Sequence, residues 1–280
     1  MTVRVVTDSA ADIPADLARS KGITVVPLTV RFGPESYLSG VELGPAEFWD
    51  KLESSSESPA TAAPSAGDFQ EAFERLAADG CTGIVSIHIS SKLSATAQSA
   101  AVAAKEITQV PVEVIDTLGV SAGQGLLVLH AAERAAQGAD AKTVAAEIEA
   151  LRPRVRLFGT IDTLEYLRRG GRIGGAQALL GTMLKFKPII GVEDGVVEPV
   201  GRVRTRAKAL EHIVELVRAD EAKIDRLVVV SADAPDTDRF LDLLNGVVHV
   251  EPGDVWAFGP IVGAHAGPGV IGVAYILTGD

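Results

Sequence analysis

The sequence predicts an α/β fold in two parts, a mainly parallel α/β sheet domain over residues 1–155 and an α+β domain over 156–280. Three observations carry this. Short β-branched runs alternate with helical compositions through the first half, and strands spaced by helices imply a parallel sheet with sites at the strands' carboxyl ends. Residues 83–98 show that unit in its shortest form, an apolar run (Ile84, Val85, Ile87, Ile89) turning through Ser90, Ser91 and Ser94 into an alanine-rich helix. After Arg154 the texture changes, and two apolar segments flank Glu193-Asp194-Gly195, a hairpin signal. No Gly-, Ser- or Pro-rich linker separates the parts.

Taken in order, a strand over 3–7 leads through Asp8 to Asp12 into a helix that Pro14 opens and Gly22 stops. Residues 23–32 form a second strand, which Pro27 demotes to an edge or bends. A helix over 44–52 ends at the serines of 54–58. The loop 58–65, with prolines on both sides of Thr61, leads into a helix over 68–78 with Ser65 as its cap. The strand–turn–helix unit follows, its helix running to about 107, then a strand over 112–116 and helices over 125–137 and 141–151. The second part offers a strand near Phe158, a short helix, a Gly/Arg turn ending at Gly174, and a hairpin over 187–192 and 196–204. A helix over 205–219, a strand over 227–231, a helix over 237–244 and a strand over 247–250 come next. The uncharged run 255–279 is long enough to span a bilayer, but Pro260, Pro268 and six glycines break it into two short buried strands joined by a loop.

Composition narrows the function. The 280 residues carry a net charge of -11, which argues against nucleic acid as a general partner. Residues 152–208 depart from this, with twelve Lys/Arg against five acids; that segment is +7 and the remainder -18. It is either a solvated surface or a site for an anion or an acidic partner. A single cysteine, Cys81, permits no internal disulfide, and charge comes too early for a signal peptide, so the cytoplasm is expected. The five histidines show no metal-ligand spacing. Gly267-Pro-Gly-Val-Ile-Gly272 imitates a dinucleotide fingerprint but precedes a strand where that motif needs a helix.

Three places hold candidate ligand groups. The turn of Ser90, Ser91 and Ser94 puts hydroxyls and free N–H groups at a strand's carboxyl end, which suits a carboxylate or phosphate; Ser94 as a plain helix cap is the competing reading. Thr61, on its stiff loop, has a well-placed hydroxyl or belongs to an ordinary connection. His265, in the loop 263–269, either hydrogen-bonds an anion or stands on a structural turn.

These pieces together resemble the DegV family, the fatty-acid-binding proteins that include the FakB subunit of bacterial fatty acid kinase. The resemblance runs in order through Val5-Val-Thr-Asp-Ser-Ala-Ala-Asp-Ile-Pro14, Thr61-Ala-Ala-Pro-Ser65, Ile89-Ser-Ser-Lys-Leu-Ser-Ala-Thr96, Val114-Ile-Asp-Thr117, Leu167-Arg-Arg-Gly-Gly-Arg-Ile173, Lys187-Pro-Ile-Ile190 and His265-Ala-Gly-Pro-Gly269. It implies a non-catalytic lipid-binding subunit that needs no cofactor. One long-chain fatty acid, such as palmitate or oleate, has its tail buried and its carboxylate at the domain interface, bound by Thr61, Ser94, Ser91 and His265. It also implies an ATP-binding fatty acid kinase partner that phosphorylates the carboxylate for phospholipid synthesis. Arg169, Arg172 and Arg202 are then candidates for charge stabilisation or docking of that partner. Lys92 and Ala95 replace two glycines of the family's serine loop, which matters if either position needs a positive φ.

Two enzyme readings compete. Gly119-Val-Ser-Ala-Gly123 matches a nucleophile elbow with Ser121 as nucleophile and Asp233 and His265 as later triad members. Alternatively, His265 forms a covalent adduct with a small ketone, as in the fold-related dihydroxyacetone kinases.

Overall fold

The computed structural model describes residues 2–182 and 186–279; Lys185, counted in the basic segment, lies outside the described residues. Strand β1 (Val3–Asp8) is followed by α1 (Ala15–Ser20) directly after Pro14, and by β2 (Ile23–Val26). β2 and β3 (Thr29–Phe32) belong to different sheets. The single strand expected over 23–32 is therefore two, because Pro27 has no N–H to continue a ladder and the chain turns there. β4 (Glu35–Leu38) returns antiparallel to β3; after α2 (Pro45–Ser54), β5 (Pro59–Ala62) takes the other side of β3.

β5 corrects the loop expected over 58–65. Pro59 occupies the first position of an edge strand, where a missing N–H costs no ladder bond, and Thr61 pairs with Val30. α3 (Ala66–Ala78) then starts on a reciprocal capping box: the Asp68 N–H donates to Ser65 Oγ at 3.2 Å and the Ser65 N–H to Asp68 Oδ2 at 2.7 Å. β6 (Gly83–His88), α4 (Thr96–Ala104), β7 (Val112–Asp116), α5 (Ser121–Ala136) and α6 (Ala141–Leu151) complete the first half. Its main sheet is parallel, in the order β2-β1-β6-β7. Strand order reverses between β1 and β6, so a crevice opens at their carboxyl ends.

In the second half, β8 (Val155–Thr160) and α7 (Glu165–Arg169) precede a 3-10 segment, Gly174–Thr182. β9 (Lys187–Glu193) and β10 (Val196–Val203) form the expected hairpin, with Asp194 and Gly195 at φ 47 and 82, the positive pair that a two-residue turn of this hand requires. α8 (Arg206–Asp220), β11 (Ile224–Ser231), α9 (Thr237–Asn245), β12 (Val255–Ala257), α10 (Pro260–Ala266) and β13 (Ile271–Leu277) follow. The sheet order is β10-β9-β8-β13-β11-β12, antiparallel except where β12 joins β11. The molecule is thus a mixed α/β fold with one parallel and one mixed sheet, plus the small sheet β4-β3-β5.

Two expectations fail near the carboxyl end. Residues 247–250 are not a strand: the N–H groups of Val247 and Val248 close the end of α9 on Leu244 O, and that of Val250 donates to Asn245 Oδ1. The run 255–279 contains a helix between its two strands. Pro260 acts as the first residue of α10, where its missing N–H is harmless, and not as a breaker. No helix of the described residues is long and apolar enough to cross a membrane.

The helix α5 is what brings the sheets together. Residues 121–129 are all buried, and Leu126, Leu127 and Val128 share one apolar core with Val5, Val85 and Ile87 of the parallel sheet and Val228, Val230 and Ala274 of the mixed one. A helix segment buried on every side belongs between layers. Gly125 makes the approach close enough: a Cβ there would lie 2.6 Å from Trp256 and 2.8 Å from Ala11 O.

Candidate functional site

A cavity of about 240 Å³ lies between the two sheets. Its walls are chiefly Leu28, Ile89, Leu93, Ile190, Phe258, Ile261 and Val270, with polar groups from Thr61, Ser94, Ser121, Arg172 and His265. Contacts place four of these together. Thr61 Oγ1 and His265 Nε2 are 2.9 Å apart. The imidazole rests against Gly170, where a Cβ would come within 2.1 Å of Nδ1, so only glycine fits. Arg172 donates from Nη1 to Gly170 O at 2.6 Å and from Nε to Leu93 O at 2.9 Å, the residue before Ser94.

Each side chain arrives there for a local reason. Thr61 is fixed by strand pairing, which is stiffer than the proline-bound loop expected. His265 lies in the last turn of α10 and is mostly covered, which corrects its placement in an open loop. Gly263 lets that helix press on α2: a Cβ there would meet Phe48 and Trp49 at 2.7 and 2.8 Å. Ser94 is half-buried, 2.8 Å from Thr96 Oγ1, and is not the helix cap; that position is Ala95, which makes no side-chain capping bond. Ala95 has φ -76, and neither it nor Lys92 is among the positive-φ residues, so the serine loop needs no glycine at either place.

The loop's stem is pinned by a buried network that the sequence did not reveal. Asp8 Oδ2 accepts from the Ile89 N–H at 3.0 Å and from Gln124 Nε2 at 3.1 Å, and contacts His88 Nδ1 at 2.9 Å; His88 Nε2 meets Ser86 Oγ at 2.6 Å. Ser86, His88 and Asp8 imitate a catalytic triad in connectivity, but none has any exposure and none lines the cavity. Further along, Ser90 donates to Gly195 O at 2.7 Å, tying the loop to the hairpin tip.

Electrostatics at the cavity favour an anion. Burial, with the Arg172 charge second, pulls the His265 imidazole down to about 4, so it is neutral at pH 7. His265 Nδ1 is buried without a partner among the described residues. Many cations of the basic segment pair with acids: Arg168 and Arg169 with Glu165, Lys187 with Asp162, and Arg206 with Asp162 and Asp236. Hydrogen bonds from Arg168 and Arg169 hold Glu165 down to about 2. Arg172 instead bonds carbonyl oxygens, and no acid forms an ion pair with it among the described residues.

The other predicted residues lie apart. Ser91 is exposed, outside the cavity wall, its N–H donating to Asp116 Oδ1 at 3.2 Å. Arg169 is exposed and held by Glu165 and Ser58. Arg202, also exposed, sits over the Phe186 ring at 5.4 Å. Neither arginine lines the cavity.

Ser121 does line it, at φ 56, but its Oγ donates to Asp12 Oδ2 at 2.6 Å and not to a histidine. Asp12, to which no sequence motif assigns a role, is a buried carboxyl behind the cavity-lining Ser121. Its Oδ1 accepts from the Gly259 N–H at 2.9 Å, and burial pushes the carboxyl up to about 7 against the opposing pull of those hydrogen bonds. The signal was its position just past the carboxyl end of β1 at the crevice. Among the described residues no group of three or more His, Cys, Asp or Glu is placed to hold a metal.

Comparison with known proteins gives one consistent result. The model of a family of uncharacterised proteins, DegV, matches residues 2–278. A DegV domain-containing protein of Streptomyces coelicolor is 38% identical over 278 residues, spanning 97% of each chain. The solved structure of a fatty acid binding DegV family protein from Thermus thermophilus agrees with a TM-score of 0.90 at 37% identity, covering 99% of this chain and 100% of that one. DegV of Bacillus subtilis, a fatty acid binding protein, agrees with a TM-score of 0.89 at 31% identity and the same coverage.

Proposed function

The chain belongs to the DegV family, and on that footing we propose that it holds one long-chain fatty acid and presents the carboxylate to an ATP-dependent fatty acid kinase subunit. The observation that carries the reading is an apolar cavity whose polar side chains include Thr61, Ser94, Arg172 and neutral His265. Thr61 and Ser94 donate to the carboxylate, His265 fixes the Thr61 hydroxyl, and Arg172 balances the charge. Ser91, facing solvent, drops out of the head-group set.

Magnitudes support this division. Burying an alkyl chain at about 0.8 kcal/mol per methylene gives roughly 10 kcal/mol before ordering costs. The head then needs only a few donors to fix its direction. Acyl phosphate formation asks mainly for positioning, with nucleotide and metal on the partner. No acid, base or nucleophile is required of this chain. Arg169 and Arg202, exposed, serve as docking contacts for that partner.

Equilibrium binding of labelled palmitate tests the site. The double variant Thr61→Ala, Ser94→Ala is expected to lose about 2–3 kcal/mol of affinity, each buried donor to a charged group counting for more than a neutral one. Unchanged affinity overturns the head-group assignment. Hydroxylamine trapping tests presentation: acyl hydroxamate is expected from palmitate and ATP only when the kinase subunit is added, and hydroxamate from this chain alone contradicts a non-catalytic role.

A further inference from the structure

The cavity shares part of its wall with a second space, across a gap in the mixed sheet. β8 spans Val155–Thr160 and β9 spans Lys187–Glu193, yet they pair only at Phe158 with Gly191, Gly159 with Ile190 and Thr160 with Ile189. On their outer sides both strands stay paired further, β8 with β13 as far as Val155 and β9 with β10 as far as Glu193. The β9–β10 hairpin therefore peels from β8 as a unit. The wedge it leaves begins at Leu157 and Val192.

Both residues line the cavity, and both also line a second, larger cleft of about 620 Å³. Phe158, Gly191 and Val120 are shared in the same way. Thr61, Ser94, Arg172 and His265 line only the first space, so the wedge lies between the two spaces and away from those polar groups. The first space alone falls below the roughly 300 Å³ at which small-ligand pockets begin. The second is charged, bounded by Glu149, Arg152, Arg156, Glu193, Asp194 and Glu198.

We propose that the wedge between β8 and β9 is an exit for the far end of the chain, and that the protein accepts long-chain fatty acids bearing a terminal hydroxyl. This rests on the carrier reading above. A hydroxyl passing Leu157 and Val192 meets water and the backbone edges that β8 and β9 leave unpaired, so it need not be desolvated. A second carboxylate fares worse. Four acids face it, and the two arginines are engaged, Arg152 on Asp116 O and Arg156 on Pro153 O and Val155 O.

Competition binding with hexadecanoic, 16-hydroxyhexadecanoic and hexadecanedioic acids tests this on the intact protein. The hydroxy acid is expected within about threefold of the parent, and the diacid at least tenfold weaker. A closed apolar end instead makes the hydroxy acid more than about tenfold weaker, the cost of burying an unpaired hydroxyl, and that result overturns the exit. Val192→Phe narrows the wedge. It should weaken the hydroxy acid at least tenfold more than decanoic acid, which is too short to reach the wedge, with circular dichroism reporting the fold of the variant; equal effects on both acids, or none on either, also overturn the proposal. If hexadecanoic acid itself fails to bind, the carrier reading falls and the exit with it, a result distinct from loss of the hydroxy acid alone.

Discussion

At His265 and Asp12 the physical chemistry is most explicit, and the two titrate in opposite senses. The His265 proton is disfavoured in the fold, its pKa falling from 6.5 to about 4. Its contribution to stability is present above about pH 6.5 and lost as pH falls through 4. Asp12 rises from 3.8 to about 7. The fold keeps its proton, so its contribution is present below about pH 4 and lost as pH rises through 7, about 4 kcal/mol in all. Between pH 4 and 6.5 the two offset each other. Asp12→Asn retains an acceptor for Ser121 or Gly259 and removes one side of that balance. Thermal melts of the variant are expected to gain stability from pH 4 to 7 relative to wild type at each pH, and a difference that does not change with pH refutes the assignment. Residue types at the site were legible: Thr61, Ser94, Arg172 and His265 all reach the cavity. The buried state of Asp12 was not, because it depends on the Gly259 N–H 247 positions away, which no local pattern records.

Elements were readable wherever periodicity and turn chemistry agreed. The hairpin at Asp194-Gly195 and the capped helix α3 follow directly from their residues. Three of the failures share a cause, a proline whose meaning depends on the neighbour: Pro59 starts an edge strand, Pro27 divides two sheets and Pro260 opens a helix. The missing strand at 247–250 is different, its N–H groups being taken by Leu244 and Asn245. The hairpin carries the element-scale prediction. Gly195 has φ 82, and a Cβ there would fall 2.5 Å from Ser90 Oγ, the group that latches the hairpin to the serine loop. Gly195→Ala is expected to cost about 1–3 kcal/mol through backbone strain and loss of that hydrogen bond, read as a lower midpoint in urea unfolding. A midpoint within about 0.3 kcal/mol of wild type contradicts the latch.

For the whole molecule, the α/β class with one parallel sheet was legible because strand–helix alternation is a property of sequence, whereas the seating of α5 between two sheets is not. We propose that the boundary between the two parts lies near residue 155, since every strand of the mixed sheet begins at or after Val155. The cavity wall draws on residues from both sides of that boundary, from Leu28 to Gly272. Of the described cations in the positive segment 152–208, Arg172 reaches the cavity wall, whereas Arg169 and Arg202 lie apart from it. The claim on which everything else depends is occupancy of that cavity by a fatty acid. Native mass spectrometry of the purified protein, followed by solvent extraction, measures it directly. One equivalent of a C14 to C18 acid is expected to be released per chain; a protein that is empty and takes up neither added palmitate nor oleate contradicts that occupancy.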